Sequence, residues 1–128
     1  MKKLLLLTVA ACSLGLGAVH AAETPKVIAA KFHKDTCGTC KVLAPEVDAL
    51  RAKYGDQDVL FITFDRSSPA SQNQAELLAS GLGVAEAYEG NPGAGFLLLI
   101  DAESKDVLDK LKGQDAAAMG EKLATSLK

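Results

Sequence analysis

Residues 34–46 read KDTCGTCKVLAPE. Cys37 and Cys40 stand two residues apart in this stretch, and Pro45 follows five residues after the second cysteine. A C-x-x-C pair serves as a redox centre, as half of a metal site, or as a short structural bond, and its surroundings have to separate the three. Upstream, Val27 to Phe32 is a compact apolar run beginning with β-branched residues, the composition of a buried strand. Downstream, Val42, Leu43, Val47, Leu50 and Tyr54 recur at three- and four-residue spacing, which predicts a helix from Cys37 to Tyr54. The cysteines therefore fall where a strand passes through a short loop into a helix.

The chain has 128 residues, enough for one domain. Its first 21 residues read as a secretory signal. Met1-Lys2-Lys3 is a short basic start, Leu4 to Val19 is an apolar, small-residue run, and Val19-His20-Ala21 puts small residues where a signal peptidase reads. The run is too short and too rich in Gly and Ala for the roughly 20 apolar residues of a membrane span. A rival is Val9-Ala10-Ala11-Cys12, which resembles the site where bacterial lipoproteins are cut and acylated on the cysteine. The apolar stretch before it is only Leu4 to Val9, so Cys12 is taken as a passenger and anchoring there as the alternative. The expected organisation is a signal peptide over 1–21 and one domain over 22–128, in a periplasmic or secreted protein with no stable membrane insertion after processing.

Without Lys2 and Lys3, 12 basic residues face 16 acidic ones, a net charge of −4. That argues against a nucleic-acid partner, which needs a basic surface, and against a basic membrane-binding face. Two of the three cysteines remain. An oxidising compartment makes a Cys37–Cys40 disulfide their default state. The chain is 48% apolar and can bury a core without a covalent staple, which weighs against a purely structural bond.

Further along, Val59 to Phe64 is a second buried strand closed by Asp65. Ser67-Ser68-Pro69 reads as a helix start, Gln74 to Ala79 continues that helix, and Gly81 and Gly83 break it. Glu89 to Gly95 has no periodicity and is a loop. Phe96 to Ile100 is the most apolar strand, Ala102 to Lys105 is turn-like, and Val107 to Leu111 returns as a fourth strand. Asp115 is an N-cap for a last helix carrying Met119, Leu123 and Leu127. The order is β-α-β-α-β-β-α. A strand–helix–strand unit favours a parallel pair, and the short turn between the last two strands makes them antiparallel. The fold class is α/β, a mixed four-stranded sheet with helices on both faces.

At the head of a helix, the Cys37 sulfur meets unpaired backbone N–H groups and the positive end of the dipole. Both favour the thiolate and lower its pKa below the free value of roughly 8.5. Cys40, one turn in, is placed to resolve a mixed disulfide formed at Cys37. Gly38 is expected to permit a tight turn there. Lys34 and Lys41 are either local positive charge or ordinary solvated lysines. A zinc site needs two more soft ligands. His33 is the one histidine left after processing, and it is read as a strand-end residue rather than a ligand.

CGTCKVLAPEVDAL, residues 37–50, resembles the active-site helix of the thioredoxin superfamily, C-x-x-C-K-x-x-A-P-x-x-x-x-L. Cys37, Cys40, Lys41, Ala44, Pro45 and Leu50 match. Phe32 before the cysteines, Asp65 closing the second strand, the FLLLID strand and Gly113 before the last helix fit too, so the likeness spans residues 26–128. It implies a thioredoxin fold, a catalytic pair of Cys37 as nucleophile and Cys40 as resolving thiol, and support from Gly38, Thr39, Lys41 and Pro45. Pro45 then lies inside the helix, past the active site, where proline costs about 3 kcal/mol.

The departures are specific. The strand and helix that precede the core in thioredoxins proper are missing, with only Ala22 to Pro25 ahead of the first strand. Thr36 replaces the usual tryptophan, Lys31 replaces the family's buried acid, and Gly38-Thr39 replaces Gly-Pro between the cysteines. The family's cis-proline falls on Ala94 or Gly95, with Pro92 two or three residues early; a loop without that proline is expected, the alternative being a small insertion that lets Pro92 serve. Gly93, Ala94 and Gly95 are read as the substrate-groove loop, leaving room beside the cysteines. The resemblance implies an exported thiol–disulfide oxidoreductase, a monomer without cofactor or metal, whose partners are protein thiols or disulfides and a recycling protein. The alternative is a soft-metal carrier on the same fold, holding an ion such as Cu(I) in the dithiol.

Overall fold

A computed structural model describes residues 23–113 and 115–128. The signal segment and the lipoprotein site at Cys12 lie outside the described residues. The elements are β1 (Val27–His33), α1 (Gly38–Tyr54), β2 (Val59–Asp65), α2 (Pro69–Gly81), α3 (Ala85–Glu89), β3 (Phe96–Asp101), β4 (Val107–Leu111) and α4 (Ala116–Ser126). The expected order holds with one correction: α3 is an additional short helix between α2 and β3. It makes barely more than a turn, too little to display a period, and Ala87 and Tyr88 bury it.

Local chemistry sets the boundaries. Ser68 caps α2 by accepting from the Ser71 N–H, and the Ser71 hydroxyl accepts from the Ser68 N–H in return. Pro69 opens that helix, where its missing N–H is not needed. Asp115 caps α4 by accepting from the Ala118 N–H at 2.8 Å. Helix α1 runs through Pro45 without interruption.

The sheet order is β2-β1-β3-β4. Strands β1 and β2 are parallel from Val27↔Val59 to His33↔Asp65. Strand β3 runs antiparallel to β1, with Phe32 opposite Phe96. Strand β4 is antiparallel to β3, with a register shift at Leu99/Ile100. Strand residues alternate between faces, and in β1 both faces are apolar because both are covered. Ile28, Ala30 and Phe32 enter one core with Phe64, Ala75, Ala79, Tyr88, Phe96, Leu98 and Ile100, beneath α2 and α3. Val27 and Ala29 enter the other with Leu43, Val47, Leu50, Leu97, Leu99, Met119 and Leu123, beneath α1 and α4.

The first core is aromatic where it approaches the cysteines. The Phe32 ring stacks on Phe96 at 4.5 Å and meets Phe64 edge-on at 5.2 Å. Tyr88 closes the group, 5.0 Å from Phe64. Phe32 is fully buried, so truncating it to alanine costs about 3–5 kcal/mol.

Candidate active site

Strand β1 ends at His33, a three-residue turn brings the chain round, and Cys37 is the N-cap of α1. The turn is closed by the Cys37 N–H donating to the Lys34 carbonyl at 3.0 Å. Cys37 has extended backbone, φ −92° and ψ 113°, and its sulfur accepts from the Cys40 N–H at 3.2 Å. A sulfur thus takes the place of the oxygen of an ordinary cap residue. Cys37 and Cys40 are joined as a disulfide.

The two sulfurs differ in access. Cys40 is 2% exposed, while Cys37 is half-buried. The Thr39 hydroxyl lies 3.1 Å from the Cys37 sulfur and donates to it, since a disulfide sulfur carries no hydrogen. One N–H and one O–H therefore point at Cys37, and both strengthen when that sulfur becomes a thiolate. The Cys40 sulfur lies 3.8 Å from the Phe32 carbonyl, which a reduced Cys40 can reach with its S–H.

The loop before β3 completes the site. Gly95 is buried, has φ +87°, and donates its N–H to the same Phe32 carbonyl at 2.9 Å. A Cβ at Gly95 would come within 3.1 Å of the Thr39 Cβ and 3.2 Å of the Cys37 sulfur. The room expected beside the cysteines is therefore not at Gly95, because Thr39 and Cys37 fill it. Open space lies at Gly93, where a Cβ would meet nothing within 4 Å. Ala94 between them is half-buried. Pro92 is exposed, and no peptide bond among the described residues is cis.

Other expected residues settle as follows. Gly38 is the first helical residue and lacks a positive φ, so the tight turn expected there is an ordinary helix start. It is exposed, with open space where a side chain would sit. Lys34, Lys41 and Pro45 are exposed, and Lys31 is half-buried at mid-strand. His33 directs Nε2 to the Asp35 carboxylate at 3.1 Å. Among the described residues, no group of three or more His, Cys, Asp or Glu side chains comes together as a metal cluster would.

Two arrangements near the site had no counterpart in the sequence reading. Arg66, just past β2, donates to the carbonyls of Tyr88, Asn91 and Gly93, each at 2.8 Å. Its guanidinium lies 4.1 Å from the Tyr88 ring centre and 4.7 Å from that of Phe32. Lys110 reinforces the same loop, donating to the Asn91 side-chain oxygen at 3.2 Å above the Phe96 ring. Burial lowers the pKa of Lys110, helped by Lys112 and Arg66. The second arrangement is acidic: the Ser67 hydroxyl and N–H both donate to Asp65, which holds its carboxyl below the usual range, with His33 adding to the effect. Ser67 in turn accepts the Asp35 N–H at 3.0 Å.

No protein-family model and no curated protein sequence matches the chain. Solved structures do. A mutant thioredoxin from Halobacterium salinarum is 26% identical, covers 81% of this chain and 77% of its own, and superposes with a TM-score of 0.53. The thioredoxin domain of a thiol-disulfide oxidoreductase from Bacteroides vulgatus is 10% identical, with coverage of 82% and 81% and a TM-score of 0.57. Fasciola hepatica thioredoxin is 17% identical, with coverage of 80% and 83% and a TM-score of 0.54. The four-stranded sheet has the thioredoxin topology, and the C-x-x-C disulfide caps the helix that follows its first strand. The chain has the thioredoxin fold.

Proposed function

We propose that the chain is an exported thiol–disulfide oxidoreductase acting on protein thiols or disulfides through Cys37 and Cys40. The observation that carries this reading is the inequality of the two sulfurs: Cys37 is accessible and receives two hydrogen bonds, while Cys40 is buried behind it. In the reducing direction, the Cys37 thiolate attacks one sulfur of a substrate disulfide. That S–S bond breaks, a mixed disulfide forms at Cys37, and the substrate's other sulfur leaves as a thiolate. Cys40 then gives up its proton and attacks the Cys37 sulfur. The substrate's second sulfur departs, the Cys37–Cys40 disulfide closes, and two electrons have passed to the substrate. Oxidation of a substrate dithiol is the same sequence reversed.

Thr39 supports the thiolate through its hydroxyl. Gly38, open to solvent, leaves the approach to Cys37 clear. Lys41 contributes positive charge one residue beyond the pair, and Pro45 belongs to the helix that holds it. Gly93, Ala94 and Gly95 form the wall against which a substrate chain lies. Residues 1–21 direct the monomeric 22–128 domain to the periplasm or the exterior, where a separate redox partner resets the pair.

A redox equilibrium of residues 22–128 in graded glutathione or dithiothreitol buffers, read by thiol trapping and mass shift, tests this. A reversible two-electron transition between roughly −120 and −270 mV is expected, and its position gives the direction of exchange. A bond that stays closed to below roughly −300 mV is structural, and the reading fails.

A further inference from the structure

The segment from Gly90 to Gly95 presents Gly95 to the Cys37 sulfur, and apart from Pro92 little in its own sequence stiffens it. Gly93 and Gly95 both adopt positive φ, and glycine is the residue with most conformational freedom to lose. The segment is held from outside. Arg66 reaches across from the end of β2 and donates to two of its carbonyls, Asn91 and Gly93, and to that of Tyr88 in α3 just before it; among the described residues no other side chain bonds all three. The planar fork of arginine suits this, because its N–H groups diverge at fixed angles where a lysine ammonium is a point. The guanidinium is fixed in turn against Phe32 and Tyr88. Phe32 also supplies the carbonyl that takes the Gly95 N–H and lies beside Cys40. One side chain thus links the loop, the aromatic floor and the strand beneath the disulfide.

We infer that Arg66 is a positioning residue for disulfide exchange, holding the Gly93–Gly95 wall at the distance from Cys37 that a protein substrate needs. This rests on the oxidoreductase reading for its consequence but not for its geometry. Arg66 touches neither sulfur. Releasing it frees the wall, uncovers one side of Cys37 and blurs the surface on which an extended substrate chain lies. A small disulfide uses only the sulfur and does not need the wall.

The test compares the native protein with Arg66→Met and Arg66→Lys. The lysine variant keeps the charge over the rings and loses the fork, so it serves where the methionine variant does not fold. Two readouts are taken on the folded fraction: alkylation of reduced Cys37 by iodoacetamide across pH, and exchange with insulin against exchange with glutathione disulfide. In either variant, alkylation rises and insulin exchange falls, each about tenfold, the scale of one lost charge-assisted hydrogen bond. Glutathione exchange does not fall. Native-like alkylation and an unchanged insulin-to-glutathione ratio in a folded variant overturn the inference. So does a parallel loss of both exchanges, which marks a stability role alone. If the native protein exchanges with neither disulfide, the oxidoreductase reading fails, and the alkylation comparison still decides whether Arg66 holds the wall.

Discussion

Gly95 stands where a side chain of its own would come within 3.2 Å of the Cys37 sulfur. The loop glycine and the helix-capping cysteine are shaped around each other, and the φ of +87° at Gly95 makes the fit possible. Gly95→Ala faces a left-handed backbone penalty of about 1–2 kcal/mol and overpacking of about 1–3 kcal/mol. A loss of about 2–5 kcal/mol in urea unfolding is expected from the two together. Gly93→Ala, with positive φ but open space, should lose only the backbone part. Equal losses at the two positions would mean the close packing of Gly95 against Thr39 and Cys37 carries no energy.

Gly38→Ala has the opposite sign. The position is helical and unobstructed, so alanine should raise stability by about 0.5–1 kcal/mol. A destabilised Gly38→Ala would show that the start of α1 needs a freedom its backbone does not display.

Thr39→Val keeps the shape of the side chain and removes the hydroxyl that donates to Cys37. The thiolate belongs to the reduced protein. Losing its donor raises the pH midpoint of Cys37 alkylation and drives the disulfide potential to more negative values. Thr39→Ser should stay near the native protein. A midpoint unmoved in Thr39→Val would leave the Cys40 N–H as the donor that matters.

Asp65 gives a pH signature. Its carboxyl is held low by the Ser67 hydroxyl first and the Ser67 N–H second. A depressed folded value contributes stability that is complete above the unfolded carboxylate value of about 3.9 and is lost as pH falls through the lower folded value. Ser67→Ala should therefore be less stable than the native protein at neutral pH, and the two stability curves should converge in acid. The effect is small because the site is only half-buried. A gap that stays constant down to pH 2 would assign the loss to Ser67 itself, which also accepts the Asp35 N–H.

Glu46 tests the join between the helices. Its carboxylate accepts the Ala116 N–H at 2.6 Å, so a residue of α1 satisfies the first turn of α4. Glu46→Ala should cost about 1 kcal/mol, as loss of a helix cap does. Hydrogen exchange should localise the loosening to the first turn of α4.

The elements that could be read from the chain are those whose signal is periodic or continuous. β3 is an unbroken apolar run from Phe96 to Ile100 because both its faces are covered, β1 and β2 are apolar runs broken only at Lys31 and Thr63 before their polar closing residues, and α1 shows its buried side in Leu43, Val47, Leu50 and Tyr54. What escaped reading depends on distant neighbours. AEAYE carries too few residues to reveal a helix, and only the seat of Tyr88 among Phe32 and Phe64 accounts for it. Arg66 follows a strand as a solvated charge commonly does, and its three acceptors lie 22 to 27 residues away. Gly95 was singled out with its neighbours, but as open room; the Thr39 side chain that fills it belongs to another element.

Alternation along β1 has a consequence for inheritance. Ile28, Ala30 and Phe32 answer to one core, and Val27 and Ala29 to the other. Substitutions accepted under α2 and α3 leave the packing that anchors α1 untouched, so the two halves can drift at different rates. Phe32 is exempt from that freedom. Its ring belongs to the aromatic side and its carbonyl to the cysteines, so a lineage that repacks the first must keep this residue's backbone still to keep the second.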